Sequence, residues 1–377
     1  MFALPVYLAP IAAETGLSPG LVGLYVPLLY AGSMISSVLA GGFLLKYGAL
    51  RISQICLLVT GLGLLLNAGG SLGFFIAGAL VIGLGGGPST PASSQILARY
   101  TPPARAPLIF SIKQTGVPVG GMLAGLLLPV FVTAFGWRGA LVGAALMSFA
   151  FVAMVQPLRA EFDSDRQPAR PLKIGDVRGT LMMVFRDARI RELALGIFSF
   201  TGLQLAFASF FVSFLSIELG WSLTDAGIAY SVAMVSGIVG RILWGWVGTA
   251  YVQPLFVLSA LGVAMGTAMI AMSFIDTSTA QPLIWVAAFC FGMTGIGYQG
   301  VMLAEVARIA PPGMAGVITG GTVFFAFAGM ILFPAAFGLI LWAGGSYGAA
   351  FAITGIPPLL AGVLLFRAAR RGGRILR

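Results

Sequence analysis

The chain has 377 residues, 59% hydrophobic and only 8% charged, with 21 Lys and Arg against 11 Asp and Glu and a net charge of +10. Soluble domains carry about 25% charged residues, so a water-soluble fold would lack the charge to cover its surface, whereas lipid solvates an apolar exterior. The composition excludes a soluble domain and predicts an all-α integral membrane protein, and the absence of histidine removes the commonest metal ligand and proton shuttle.

A spanning helix needs about 20 mostly apolar residues. The punctuation predicts twelve: 1–13, 21–45, 52–69, 73–98, 107–134, 138–157, 193–217, 226–249, 253–274, 281–306, 314–343 and 347–366. The first is short, reaching about 20 Å against a hydrocarbon core of about 30 Å. A cleaved signal peptide would need a basic n-region that this stretch lacks, so the first helix is read as truncated. The polar stretch 158–192 divides six spans from six. The expected organisation is an N-terminal six-helix bundle over 1–157, a linker loop over 158–192 and a C-terminal six-helix bundle over 193–377 with a basic tail. Within the linker, 174–189 predicts an amphipathic helix on the membrane surface, with "LMMVF" as its apolar face.

Positive charge sets orientation. Lys46, Arg51, Arg99, Arg105, eight Lys/Arg from Arg159 to Arg191, Arg308 and five arginines from Arg367 to Arg377 fall on one side, and Arg138 alone on the other. This predicts a cytoplasmic linker and cytoplasmic termini in a cell inner or plasma membrane. The net charge is read as topology and contact with anionic lipid rather than nucleic-acid binding, because it is spread over loop ends. Cys56 and Cys290 lie alone in predicted helices and are read as small core residues. "GLGGGPSTPASSQ", Gly83 to Gln95, has a phosphate-loop composition but no Gly-Lys-Ser/Thr; it is read as a kinked fourth span, with Pro88 and Pro91 loosening the backbone ladder.

The halves echo each other. "ARYTPPARA" (Ala98 to Ala106) closes the fourth span and "ARIAPPGMA" (Ala307 to Ala315) closes the tenth, 209 residues later. Parallel six-helix repeats build a binding cavity between the halves. The loop after the second span, "GGFLLKYGALR", resembles the G-x-L-x-D-R-x-G-R-R motif of the major facilitator superfamily at Gly41, Lys46, Gly48 and Arg51, with Leu45 where that family carries Asp. "TGVPVGG" is similar to the Gly-Pro-x-x-Gly-Gly signature of the fifth span in many exchangers of that family. The resemblance covers all twelve spans and implies a transporter with no cofactor and no metal site, working by alternating access.

Three ionisable residues fall inside spans: Lys113, Arg241 and Glu305. An intramembrane charge is costly and points to function. Lys113 lies about 9 Å into the fifth span at 1.5 Å per residue. It is read either as a snorkelling lysine or as a cavity cation, helped by Gln114 and the hydroxyls of Ser111 and Thr115. Arg241 and Glu305 are expected to pair, as a structural ion pair or as a gate, and Glu305 is the only deep carboxylate. Tyr30, Gln204, Thr294, Tyr298 and Gln299 are uncharged polar candidates for a cavity wall.

The expected activity is secondary active transport of a small solute, an organic anion such as a carboxylate. The alternative is a proton-coupled exporter of hydrophobic compounds, suggested by the fifth-span signature and runs such as "FASFFVSF". A membrane enzyme would need clustered catalytic acids or metal ligands, which are missing, and a transport-inactive sensor is the other class considered. The expected partners are a small-molecule substrate, the lipid bilayer and a coupling proton or counter-solute. The chain is expected to be a monomer and to bind no nucleic acid.

Overall fold

The computed structural model describes residues 25–169 and 177–372. The predicted first span at 1–13, the start of the second, linker residues 170–176 and the end of the basic tail lie outside the described residues. Among the described residues the elements are all helical: α1 (Tyr25–Tyr47), α2 (Ala49–Asn67), α3 (Leu72–Gly86), α4 (Ser89–Tyr100), α5 (Ala106–Val155), α6 (Arg159–Phe162), α7 (Val177–Arg186), α8 (Ala188–Ser213), α9 (Leu223–Ala250), α10 (Pro254–Ala271), α11 (Gln281–Phe291), α12 (Gln299–Ile309), α13 (Ala315–Trp342) and α14 (Tyr347–Gly372). Ten helical stretches among them are long and apolar enough to cross a membrane.

Local chemistry explains the interruptions. The predicted fourth span is α3 and α4, parted at Pro88, whose ring removes a backbone donor. The predicted fifth and sixth spans are the two arms of α5, broken at Gly136, where φ 68° and ψ 169° suit only glycine. The predicted tenth span is α11 and α12 joined through a π-helical turn, Gly292–Ile296. The predicted amphipathic helix in the linker is observed as α7; within "LMMVF", Val184 is buried while Met182, Met183 and Phe185 are exposed. Of the two cysteines, Cys56 is buried as expected, but Cys290 is exposed, so only the first is a core residue.

Packing divides the chain into two compact units. The first holds the chain up to Tyr100, with Gly116–Met183 and Ala310–Phe324. The second holds Thr101–Thr115, Val184–Ile309 and the chain from Phe325. Two short segments are thus exchanged relative to chain order, and each begins within one copy of the Pro-Pro echo. Its last alanines, Ala106 and Ala315, are the first residues of α5 and α13.

The core of the first unit gathers Tyr25, Leu29, Leu64, Phe75, Ile82, Trp137 and Leu141. Here α1 and α3 approach backbone to backbone, as small residues allow in membranes. A Cβ on Gly32 would stand 2.8 Å from the Leu80 carbonyl, and the Ser33 hydroxyl donates to the Gly83 carbonyl at 3.0 Å. The second unit is built on aromatic rings: Phe207 stacks on Phe291 at 4.1 Å, and Phe337 meets Phe351 edge-on at 5.1 Å.

The stretch after α5 clasps the ends of three helices in the first unit. Asp163, 2% exposed, accepts from the backbone N–H groups of Leu50 at 2.7 Å and Arg51 at 3.1 Å, and Arg159 lies 3.4 Å from it. It caps the first turn of α2, where free N–H groups and the helix dipole favour an anion. The Gln167 N–H donates to the Leu45 carbonyl at 2.7 Å, and Arg99 on α4 reaches Ser164 at 2.7 Å and Asp165 at 3.3 Å. Gly48 makes the cap possible: its φ is 95° and ψ 155°, and any Cβ there would strike Asp163.

Gly48→Ala should therefore lower stability in detergent by about 1–3 kcal/mol, the cost of a side chain in this backbone region. Gly42→Ala, in open helical space, should be neutral or slightly stabilising. Equal melting temperatures for the two variants would contradict the clasp.

Candidate functional site

The second unit brings five of the polar candidates into one network. It begins with the seating of the first turns of α5. Ser111, fully buried, lies against Gly245 of α9 and Gly300 of α12; a Cβ on Gly245 would come within 2.5 Å of its hydroxyl. The Leu108 N–H donates to Thr249 Oγ1 at 3.1 Å. The Ser111 contact needs the glycines of α9 and α12, and the two contacts together carry the backbone of Gln114 to Arg241.

Arg241, on α9, is 1% exposed. Its Nε donates to the Ile296 carbonyl at 3.1 Å, its Nη2 to Gln299 Oε1 at 2.7 Å, and its Nη1 to the Gln114 carbonyl. The π-helical turn supplies the first acceptor. One helical turn on, Trp244 Nε1 donates to the Met293 carbonyl of the same turn at 2.8 Å. A π-helical turn disturbs the regular backbone ladder, and two α9 side chains bind its carbonyls. Gln299 Nε2 then donates to Gln204 Oε1 at 3.1 Å, and Lys113 Nζ donates to the Gln114 side-chain oxygen at 2.8 Å. The network runs Lys113, Gln114, Arg241, Gln299, Gln204.

Every acceptor in it is a carbonyl or an amide. Among the described residues no carboxylate pairs with Lys113 or Arg241. Each guanidinium nitrogen makes one hydrogen bond, but neutral acceptors leave both positive charges uncompensated. Buried charge without a counterion is expensive, and the arrangement is fitted to receive an anion.

The expected Arg241–Glu305 pair does not form. Glu305, 1% exposed, is held by Arg308, three residues on along α12, with Nε at 2.7 Å and Nη2 at 2.6 Å. A bidentate partner at i+3 on the same helix needs no tertiary approach, while Arg241 is drawn to the π-helical turn. Tyr298 is fully buried, its ring edge-on to Phe200 at 5.2 Å, which makes it a core residue. Tyr30 belongs to the first unit, half-buried against the cluster around Tyr25 and Trp137. Ser111 is a packing residue, and Thr115 and Thr294 return their hydroxyls to carbonyls of their own helices, Ile112 and Cys290.

The loop-motif residues divide by role. Gly41 is buried where a Cβ would touch Val317 of α13 at 3.0 Å, and Gly48 supplies the turn. Lys46 lies over the Tyr47 ring at 5.8 Å, and Arg51 donates to Gln54 Oε1 at 3.2 Å. Two residues escaped the sequence reading. Asp163 is one; its signal is an acid just after the sixth span, four residues beyond Arg159. Gln95 is the other: its amide donates to the Gly313 carbonyl at 3.0 Å and accepts from the Gly316 N–H at 2.8 Å. It satisfies an orphan donor at the start of α13, and its signal is a buried amide in the polar run "PASSQ".

Comparison with known proteins agrees with the fold and the absence of catalytic machinery. The sequence model of the Major Facilitator Superfamily matches residues 1–334. The chain belongs to that superfamily. It is a multi-pass membrane transporter and not an enzyme. It is 21% identical to the hexuronate transporter of Bacillus subtilis (strain 168), over 94% of this chain and 87% of that one. It is 23% identical to monocarboxylate transporter 13 of Rattus norvegicus, over 84% of this chain and 69% of that one. The crystal structure of the E. coli fucose:proton symporter, 18% identical, superposes with a TM-score of 0.73 over 98% of this chain and 95% of that one. At that identity the superposition establishes the fold alone.

The pairing makes a direct prediction. In double-mutant cycles of detergent unfolding, Glu305→Gln and Arg241→Gln should be additive within about 0.5 kcal/mol, as for sites that share no partner. Glu305→Gln and Arg308→Gln should be clearly non-additive. Coupling of Arg241 to Glu305 instead of Arg308 would contradict the geometry.

Proposed function

We propose that the protein carries a small organic anion, a carboxylate, across the cell inner or plasma membrane by alternating access. The observation that carries this reading is the pair of cations, Lys113 and Arg241, joined through Gln114 and bonded only to neutral oxygens. At an effective dielectric of about 20, a carboxylate 4 Å from one of them gains about 4 kcal/mol. Gln114, Gln299 and Gln204 offer amides to hydroxyl or carbonyl groups of the same substrate. The names of two relatives, a hexuronate and a monocarboxylate transporter, support an anionic substrate.

In this reading the substrate binds near mid-membrane between the halves 1–157 and 193–377, joined by the linker 158–192, and the halves rock about it. The excess of Lys and Arg on one side supports a cytoplasmic linker and cytoplasmic termini. Opening on that side requires the first turns of α5 to leave α9 and α12, breaking the Leu108–Thr249 and Gln114–Arg241 hydrogen bonds. The protein acts as a monomer.

Thermal unfolding of the purified protein tests the substrate class. Ligand at a hundredfold excess over its dissociation constant stabilises by about 2.7 kcal/mol. D-glucuronate or pyruvate should raise the melting temperature of the wild type, with D-galactose without effect, and Lys113→Ala should weaken the carboxylate by about tenfold, or about 1.4 kcal/mol. Equal shifts of both proteins by a lipophilic cation, with none from carboxylates, would favour the exporter of hydrophobic compounds.

A further inference from the structure

The geometry points to a second ligand site, on the first unit: a groove just past the second arm of α5 that seats the phosphate headgroup of an anionic glycerophospholipid. The site does not depend on what the protein transports. The groove encloses about 530 Å³ and is lined by Gln156, Pro157, Arg159, Asp163, Ser164 and Arg166, within the about 300–1,000 Å³ usual for small-molecule sites. Hydrogen bonds of the stretch itself build it. The Asp163 N–H donates to the Arg159 carbonyl at 3.0 Å and the Arg166 N–H to the Asp163 carbonyl at 3.2 Å, so the chain turns back and brings both arginines to one groove. The Gln167 N–H on the Leu45 carbonyl pins the far end, and Gln54 Nε2, donating to Gln156 Oε1 at 2.9 Å, pins the near one. Pro157 and Pro168, with φ fixed by their rings, stiffen both ends. The groove is thus formed before a ligand arrives, which lowers the ordering cost of binding.

Charge selects an anion. The groove's one acid is already used: Asp163 is buried against the two N–H groups that open α2. The Arg159 Nε stands 3.4 Å from it, buried and without a hydrogen bond. The Arg159 side chain is still 27% exposed, and among the described residues its Nη groups donate to no protein oxygen. Arg166 is exposed, and its guanidinium has no partner among the described residues. Two guanidinium forks against one satisfied carboxylate leave net positive charge and donors shaped for phosphate. The surroundings select a lipid as its source. Phe151, Met154 and Leu158 recur at i, i+3 and i+7 in the turns immediately before the groove, and all are exposed. Tyr100 is exposed beside it, its hydroxyl donating to the Glu161 carbonyl at 3.3 Å, and tyrosine favours the headgroup level. Acyl chains lie along the apolar turns while the phosphate reaches the arginines, as basic sites at the membrane surface take anionic headgroups. A phosphate held by Arg159 and Arg166 ties down the stretch that caps α2 and bonds Arg99 of α4, so the lipid steadies the clasp of the first unit.

The test is thermal unfolding of the purified full-length protein in detergent, titrated with dioctanoyl phosphatidylglycerol, dioctanoyl phosphatidylcholine or inorganic phosphate. A ligand that binds only the folded state raises the melting temperature. Phosphatidylglycerol should raise it at concentrations where phosphatidylcholine and inorganic phosphate do not. Arg166→Gln should weaken phosphatidylglycerol by about tenfold, the loss of one charge-assisted hydrogen bond. Arg367→Gln, which alters the basic tail and leaves the groove intact, should bind it as the wild type does. Equal shifts from the two lipids would overturn the anionic site, and a full shift from inorganic phosphate alone would overturn the lipid as its source. An effect of Arg367→Gln as large as that of Arg166→Gln would reduce the binding to general surface charge and also overturn the site. The wild-type titrations decide the class of ligand even if Arg166→Gln does not fold.

Discussion

A guanidinium buried without a carboxylate is the constraint around which the second unit is arranged. Arg241 keeps its place because three neutral oxygens converge on it, from Ile296, Gln299 and Gln114. Each comes from a different structural device. The Ile296 carbonyl belongs to a π-helical turn, the Gln299 amide opens α12, and the Gln114 carbonyl arrives on a helix that precedes Arg241 by more than a hundred residues. Loss of any one would leave a charged donor unsatisfied in a low-dielectric setting, which costs more than an ordinary surface bond contributes.

The glycines of α9 and α12 serve this arrangement. Gly237 and Gly240 let the π-helical turn lie against α9, where a Cβ would meet Ile296 or the backbone of Met293. Gly245 and Gly300 leave the space that Ser111 fills. A membrane helix gains little from burying apolar side chains, since lipid is equally apolar, so close approach must come from small residues. The first unit uses the same device between α1 and α3, and adds a cap from the linker, where Asp163 stands on the amides that open α2. In the family pattern an acid lies within the loop after the second span; in this chain that position is Leu45, and a carboxylate serves the neighbouring turn from elsewhere in sequence.

Much of the fold was legible because bilayer thickness imposes a length on each helix and hydropathy reports it directly. The breaks were legible where Pro88 or Gly136 stood at them. The π-helical turn was not, because "GMTGI" reads as ordinary small and apolar residues and its conformation depends on α9. The polar network was half legible. Lys113, Gln114, Gln204, Arg241 and Gln299 stood out as polar residues in apolar runs, yet sequence depth alone paired Arg241 with Glu305. Depth fixes height along a helix but not azimuth, and Arg308 on the same face of α12 claimed the carboxylate. Tyr298 shows the same limit: its neighbour Gln299 joins the network while its own ring turns into the core against Phe200. Asp163 and Gln95 were missed because their hydrogen-bond partners across the fold are backbone groups, which carry no signature in the sequence.

The most direct test is a structure of the protein with bound D-glucuronate, or with a bromo-substituted carboxylate located by its anomalous signal. The account predicts the carboxylate within hydrogen-bond reach of Lys113 Nζ or the Arg241 guanidinium, about 2.7–2.9 Å, with an oxygen in the place of the Gln114 carbonyl. A carboxylate bound instead in the open groove of about 530 Å³ lined by Gln156, Arg159, Asp163 and Arg166, with Arg241 still on Gln114, would contradict it.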